Sequence, residues 1–187
     1  GPGYGFRINL FDYDGESIPY RWAAAVQAYV TTKGKWAHMV MLDCPEIRPG
    51  ERIEILLRHD KEESGNYFGD MSDDQIERFS REEQTFRHVY PTLTANWIRT
   101  LQHPWGLRVG TEIGYTKVTP NASDGGLMAQ LHPLGLDGGW LYSLEGALRY
   151  DTRRDYVDAK SGLFEEITLR YSLGNGGNYH GGQIIHD

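Results

Sequence analysis

Along most of the chain, apolar and polar residues alternate with a period of two, in runs about a dozen residues long. From Trp140 to Asp151 one face reads Trp140, Tyr142, Leu144, Gly146, Leu148, Tyr150, and the other Leu141, Ser143, Glu145, Ala147, Arg149, Asp151. The next run sets Leu163, Ile167, Leu169, Tyr171 and Leu173, with Glu165 as the exception, against Glu166, Thr168, Arg170 and Ser172. Trp105 to Thr116, Val89 to Leu101 and Arg52 to Asp60 follow the same rule, and Phe6 to Asp14, Tyr20 to Thr32 and Lys35 to Asp43 follow it less cleanly. About eight strands result. Strands of soluble sheets average ~5–6 residues, so these are long. Their polar faces mix Arg with Glu, which suits a wet barrel lumen where opposite charges meet across neighbouring strands. The pattern predicts an all-β fold: an antiparallel transmembrane β-barrel with about eight meander strands.

Composition fits that reading once averaged over two faces. The 187 residues carry 19 Lys+Arg against 26 Asp+Glu, a net charge of −7, and no apolar run that could form a membrane-spanning helix. The acidic balance argues against nucleic acid as a partner. A single cysteine, Cys44, rules out an internal disulfide and a cysteine-built zinc site. Trp22, Trp36, Trp97, Trp105, Trp140, Tyr142 and Tyr150 are expected to form two interfacial aromatic girdles.

The connections alternate in length. Lys33-Gly34, Pro49-Gly50 and Gln102-His103-Pro104 read as tight turns, whereas Lys61 to Phe86 and Thr119 to Gly138 are long. Both long loops follow even-numbered strands, so they leave at one end. The other end is expected to carry Asp14–Pro19, Cys44–Gly50, the His103 turn and Thr152–Ser161, and to face the periplasm. Ser72-Asp73-Asp74-Gln75 predicts a capped surface helix with Ile76 and Phe79 as its apolar stripe. Gly174 to Gly182 reads as a low-complexity glycine-rich stretch.

One segment resembles a known family. Leu148-Arg149-Tyr150-Asp151-Thr152-Arg153-Arg154-Asp155, then Gly162-Leu163-Phe164 and a strand ending Leu169-Arg170-Tyr171-Ser172, looks like the bacterial surface antigen family of BamA/TamA-type outer-membrane assembly and translocation barrels. Asn66-Tyr67-Phe68-Gly69 before an acidic loop is similar to that family's loop after an early strand. An extra Arg stands in the turn, and Ala159-Lys160 occupies the place where Pro is usual. The family turn falls on Tyr150, Asp151, Thr152, Arg153, Asp155 and Gly162, where Asp and Arg can satisfy one another and Gly162 permits sharp re-entry into a strand.

The resemblance implies a bacterial outer-membrane location and a role in inserting or translocating membrane proteins. Lipid, lipopolysaccharide and client membrane proteins are the implied partners, without cofactor. Family barrels have sixteen strands and a later Arg-Gly-Phe loop that does not occur here. The chain, 1–187, with its Gly1-Pro2-Gly3 start and its end at Asp187, is therefore expected to be the first half of such a barrel, cut at both ends.

Chemistry-bearing motifs point away from catalysis. The seven His show no His-x-x-x-His or zincin spacing, and there is no Gly-x-Ser-x-Gly elbow. His180 and His186 flank glycines, and Asp70, Asp73 and Asp74 lack the spacing of a calcium loop. Two alternatives remain in view. One is a complete small eight-stranded barrel, porin-like or adhesive. The other is a lipid-modifying barrel enzyme that uses His38 or His59, which fall on the apolar faces of consecutive strands, with a serine.

Overall fold

Residues with branched or aromatic side chains at every second position favour a pleated ribbon whose two faces differ, and the described residues form nine such ribbons. The structure, a computed structural model, describes residues 1–15, 20–69, 76–124, 126–133, 135–153, 161–174 and 180–186. The strands are β1 (Gly3–Asp12), β2 (Trp22–Thr31), β3 (Trp36–Arg48), β4 (Glu51–Asn66), β5 (Thr85–Thr100), β6 (Trp105–Pro120), β7 (Gly139–Asp151), β8 (Phe164–Gly174) and β9 (His180–His186). Every strand pairs antiparallel with its sequence neighbours, in one meander ordered β1 to β9. The sheet does not close on itself, so β1 and β9 are edges.

Three expectations need correction. The all-β antiparallel meander is as expected, but the described strands number nine where about eight were expected, because β9 begins at the end of the glycine-rich stretch and runs beyond it, its backbone pairing with β8 from Ile167↔His186 to Leu173↔His180. Seven residues with two adjacent glycines and two adjacent isoleucines carry too little alternation to announce a strand; the exposed ladder of β8 supplies the hydrogen bonds. The Cys44–Gly50 segment is not a turn throughout: β3 continues to Arg48 through a register irregularity between Cys44 and Arg48, and only Pro49-Gly50 turns, with Gly50 at φ 73°. The first long loop is shorter than expected, since β4 runs to Asn66 and β5 starts at Thr85. The helix start predicted at Ser72 to Gln75 lies outside the described residues, and the residues of its expected apolar stripe, Ile76 and Phe79, are joined by a single turn, the Phe79 amide donating to the Ile76 carbonyl at 3.0 Å.

Register carries the alternation across the whole sheet. One cross-strand row reads Ile8, Val26, Val40, Leu57, Leu93, Ile113, Tyr142, Leu173 on strands β1 to β8. All of these share a face, and that face is exposed. The opposite face is polar and buried: along β8, Glu166 is 6% and Thr168 2% exposed, while their neighbours Ile167 and Leu169 are 51% and 61% exposed. In a single-layer sheet one face is hidden only if the sheet curls around it. The inner face of β6 shows how this is possible, alternating Gly106, Arg108, Gly110, Glu112, Gly114 and Thr116, so that bulk stays on the convex side.

Both long loops emerge at the same end, after β4 and β6. The second contains a short helix, α1 (Gly126–Leu131), which the sequence pattern does not announce. It is held by tertiary contacts: the Leu127 amide donates to the Glu83 carbonyl at 3.0 Å, and the Leu127 side chain is fully buried. Asn121 Nδ2 donates to the Glu63 carbonyl at 3.2 Å and to Thr85 Oγ1 at 3.0 Å. Gly126 (φ 52°) permits the close approach, since a Cβ there would sit 2.6 Å from the Glu83 carbonyl oxygen. Gly126→Ala is therefore expected to cost roughly 1–3 kcal/mol of local stability and to raise protease cleavage within 76–84 and 121–138 together. Cleavage in only one loop would mean that the two do not pack as a unit.

Candidate functional site

The concave face holds a charged network built from directly paired residues. Between β7 and β8 the partners are Ser143↔Ser172, Glu145↔Arg170, Ala147↔Thr168 and Arg149↔Glu166. Opposite charges thus sit directly across the ladder. Arg170 Nη2 lies 2.5 Å from Glu145 Oε1, and Arg149 Nε 2.5 Å from Glu166 Oε2. The two serine hydroxyls are 2.8 Å apart.

Arg108 of β6 ties this ladder to its neighbours. It passes over the small Ala147 to reach β8, where Nη2 donates to Glu166 Oε1 at 2.6 Å and to Thr168 Oγ1 at 3.0 Å. Its Nη1 donates to Glu145 Oε2 at 2.7 Å and to Asn96 Oδ1 of β5 at 3.3 Å. Gly110 leaves the space: a Cβ there would collide with the Asn96 carboxamide oxygen. Four strands are joined through one guanidinium. Three arginines face two glutamates, so Glu166 is shared between Arg108 and Arg149, and Glu145 between Arg108 and Arg170.

A second cluster lies toward β3. Arg52 grips Asp43 bidentately, Nε to Oδ1 and Nη2 to Oδ2 both at 2.9 Å, and Tyr20 donates its hydroxyl to Asp43 Oδ2 at 2.6 Å. Asp43 is 4% exposed. Between the clusters runs an open groove of about 410 Å³ lined by Tyr20, Asp43, Arg52, Glu54, Thr94 and Asn96 together with the apolar Met41, Leu42, Ile55 and Leu56. Its charged groups are tied up in ion pairs with one another.

The family-like turn is compact where it is described. Arg153 chelates Asp151 (Nε to Oδ1 2.8 Å, Nη2 to Oδ2 2.7 Å), and its guanidinium lies 4.4 Å from the Phe164 ring centre. Thr152 and Leu163 exchange hydrogen bonds across the turn, the Thr152 amide to the Leu163 carbonyl at 2.9 Å and the Leu163 amide to Thr152 Oγ1 at 2.7 Å. Gly162 adopts φ 125°, and a Cβ on it would lie 2.7 Å from Arg153 Cα, so only glycine fits. Tyr150, just above, packs edge-on against Trp105 at 5.0 Å. Arg154 and Asp155 lie outside the described residues.

All seven singled-out aromatics project from the convex, apolar face. Trp36, Trp140 and Tyr142 stand near the long-loop end, and Trp22, Trp97, Trp105 and Tyr150 near the other. Tyr115, which the sequence reading passed over, joins the first group by packing on Trp140 at 5.2 Å. His38 and His59 are direct cross-strand partners on that face, with ring centres 6.1 Å apart, and Trp36 lies 5.6 Å from His59. Both Ser143 and Ser172 point to the opposite face, so neither reaches these imidazoles. What the sequence reading missed is the Arg108 hub, because nothing local joins residue 108 to residues 145 and 166.

No protein-family model, curated protein or solved structure matches the chain.

Because Glu166 serves two arginines, Glu166→Ala is expected to cost about 3–5 kcal/mol, the cost of stranding buried charge. Arg108→Ala leaves two arginines facing two glutamates and should cost about 1–3 kcal/mol. Urea midpoints of the folded variants measure both, and the reverse order would refute Glu166 as the shared carboxylate.

Proposed function

We propose that the chain is a segment of a bacterial outer-membrane β-barrel, with its convex apolar face against lipid and its charged concave face toward the lumen. The observation that carries this reading is the inversion of burial, with Glu166, Thr168 and Glu145 hidden while Ile167, Leu169 and Leu144 stand exposed. Water rewards the opposite arrangement. An apolar row eight strands wide far exceeds the exposed patches that soluble monomers tolerate, and a hydrocarbon solvent accounts for it.

The dimensions agree. Trp105 and Tyr115 lie ten residues apart on β6; at ~3.4 Å per residue and a tilt of ~45° that is ~24 Å, against an apolar band of ~25 Å in such barrels. In hydrocarbon the unpaired edges of β1 and β9 need strand partners. The described residues form nine strands, an odd number, whereas bacterial single-chain outer-membrane barrels have even counts, which favours a portion of a larger barrel over an eight-stranded porin-like or adhesive one.

Assembly or translocation of outer-membrane proteins is the role implied by the surface antigen resemblance. It is supported by a turn in which Asp151, Arg153 and Gly162 have structural reasons to be those residues. Lipid modification would need a nucleophile beside His38 or His59, and the serines of β7 and β8 are on the other face, bonded to each other.

The test is to follow the native protein in its own cell. It should fractionate with the outer membrane and migrate faster unheated than heated, and its depletion should lower the level of other folded outer-membrane barrels. Recovery in a soluble fraction would refute the barrel. Normal levels of the other barrels would refute the assembly role alone. Val109→Arg, on the convex face of β6, should cost about 2–4 kcal/mol of insertion and deplete the folded membrane form, while Thr94→Arg, on the concave face directly opposite Glu112, should not. Equal behaviour of the two variants would contradict a lipid-facing convex surface.

A further inference from the structure

Above the apolar band at the long-loop end, the convex face changes character. On β3 to β6 one cross-strand row reads Trp36, Lys61, Val89, Lys117. The row above it contains Arg87, and the row below it the His38–His59 pair. Among the described residues, three cations therefore share a small area of this face with one carboxylate, Glu63, which pairs with both Lys61 and Arg87. The Lys61 ammonium lies 4.4 Å from the Trp36 ring centre, held flat against the sheet. Arg87 and Lys117 are exposed.

The other end of this face is different. There Arg99 is balanced by Glu51 at 3.5 Å, and Glu165 adds a further negative charge. Lys35, in the nearby β2–β3 turn, is already matched by Glu62 at 2.5 Å and adds nothing to the excess. The cationic excess thus belongs to one face and one end, and it directly adjoins the row that starts the apolar band.

We propose that Lys61, Arg87 and Lys117, with Trp36 and the His38–His59 pair beneath them, bind the phosphate headgroup of an anionic lipid in the leaflet at the long-loop end. The inference rests on the barrel reading above and adds to it a lipid class and a place. Lys61 and Lys117 are two strands apart, ~9.6 Å at ~4.8 Å per strand, a span that the exposed Lys117 side chain closes by reaching toward the held Lys61 ammonium, so that one phosphate meets both. The acyl chains then descend over Val40, Leu57, Leu93 and Ile113, the apolar row below the histidines. Charge complementarity chooses the occupant: a zwitterionic headgroup would gain little from a site with two cations in excess, whereas near a membrane surface each Lys or Arg contributes about 1 kcal/mol toward an anionic lipid.

Trp36 is the reporter. The native protein and its Trp36→Phe variant are placed in vesicles containing brominated phosphatidylglycerol or brominated phosphatidylcholine at equal mole fraction, and the difference in fluorescence isolates quenching of Trp36. The expected result is a preference of at least about threefold for the anionic lipid, from cations worth ~1 kcal/mol each. It should fall to about one in the Lys61→Gln, Arg87→Gln, Lys117→Gln triple variant, with quenching by brominated phosphatidylcholine retained. Equal quenching of the native protein by both lipids overturns the phosphate site and leaves the barrel standing. Quenching by neither lipid overturns the barrel itself. Should the triple variant fail to insert, the exposed single change Lys117→Glu decides: an unchanged preference refutes the proposal, and a reduced one supports it.

Discussion

Everything in this sheet depends on how the buried charges of the concave face are neutralised. A curled sheet that hides its polar side brings arginine and glutamate out of bulk water, and each charge must then find its partner within the sheet. The chain meets that demand by register: Glu145 faces Arg170 and Arg149 faces Glu166 because β7 and β8 pair as they do. A slip of one residue would turn every pair to the convex face and bring Leu144, Leu148, Ile167 and Leu169 inside. Electrostatics and apolar patterning therefore select the same register, and Arg108 extends that register across four strands by bonding to Asn96, Glu145, Glu166 and Thr168.

Curvature and charge are linked through small residues. Arg108 reaches β8 only because Ala147 lies beneath it, and Asn96 reaches Arg108 only because residue 110 is glycine. The same small residues thin the concave side, so the sheet can close around its polar lining while Leu, Tyr and Trp spread on the convex side. Strand β1 shows what happens with a neighbour on one side only. Nearly all of it is exposed, with Tyr4 at 70% and Ile8 at 53%, on a chain edge that offers both apolar surface and unused backbone groups.

Period-two alternation made most of this legible from residues alone. It assigned Trp140 to Tyr150 to one face and Ser143 to the other, and placed His38 and His59 together on the apolar side. It placed the long loops at one end as well. What it could not supply is register, which is why the Arg108–Glu166 contact, 58 residues apart in sequence, was invisible. Strand β9 escaped because glycines carry no face, and helix α1 because six residues gain their order from the Glu83 segment rather than from intrinsic propensity. The seam between Cys44 and Arg48 was read as a turn for a related reason, since an irregularity breaks the very periodicity that announces a strand.

The two ends of the sheet complete the physical picture. At one end the turns are tight and internally bonded: Arg153 is spent on Asp151, and Arg99 faces Glu51. At the other, two long loops pack on one another through Leu127, Asn121 and Thr85, and the convex face beneath them carries more cations than it can match. A sheet in isotropic solvent has no reason for such an asymmetry. Under the barrel reading proposed above, a bilayer supplies one, because its two surfaces present different depths, charges and neighbours to the same strands. The long loops and the excess cations stand at the same end, so under the proposed barrel reading a single orientation of the sheet accounts for both.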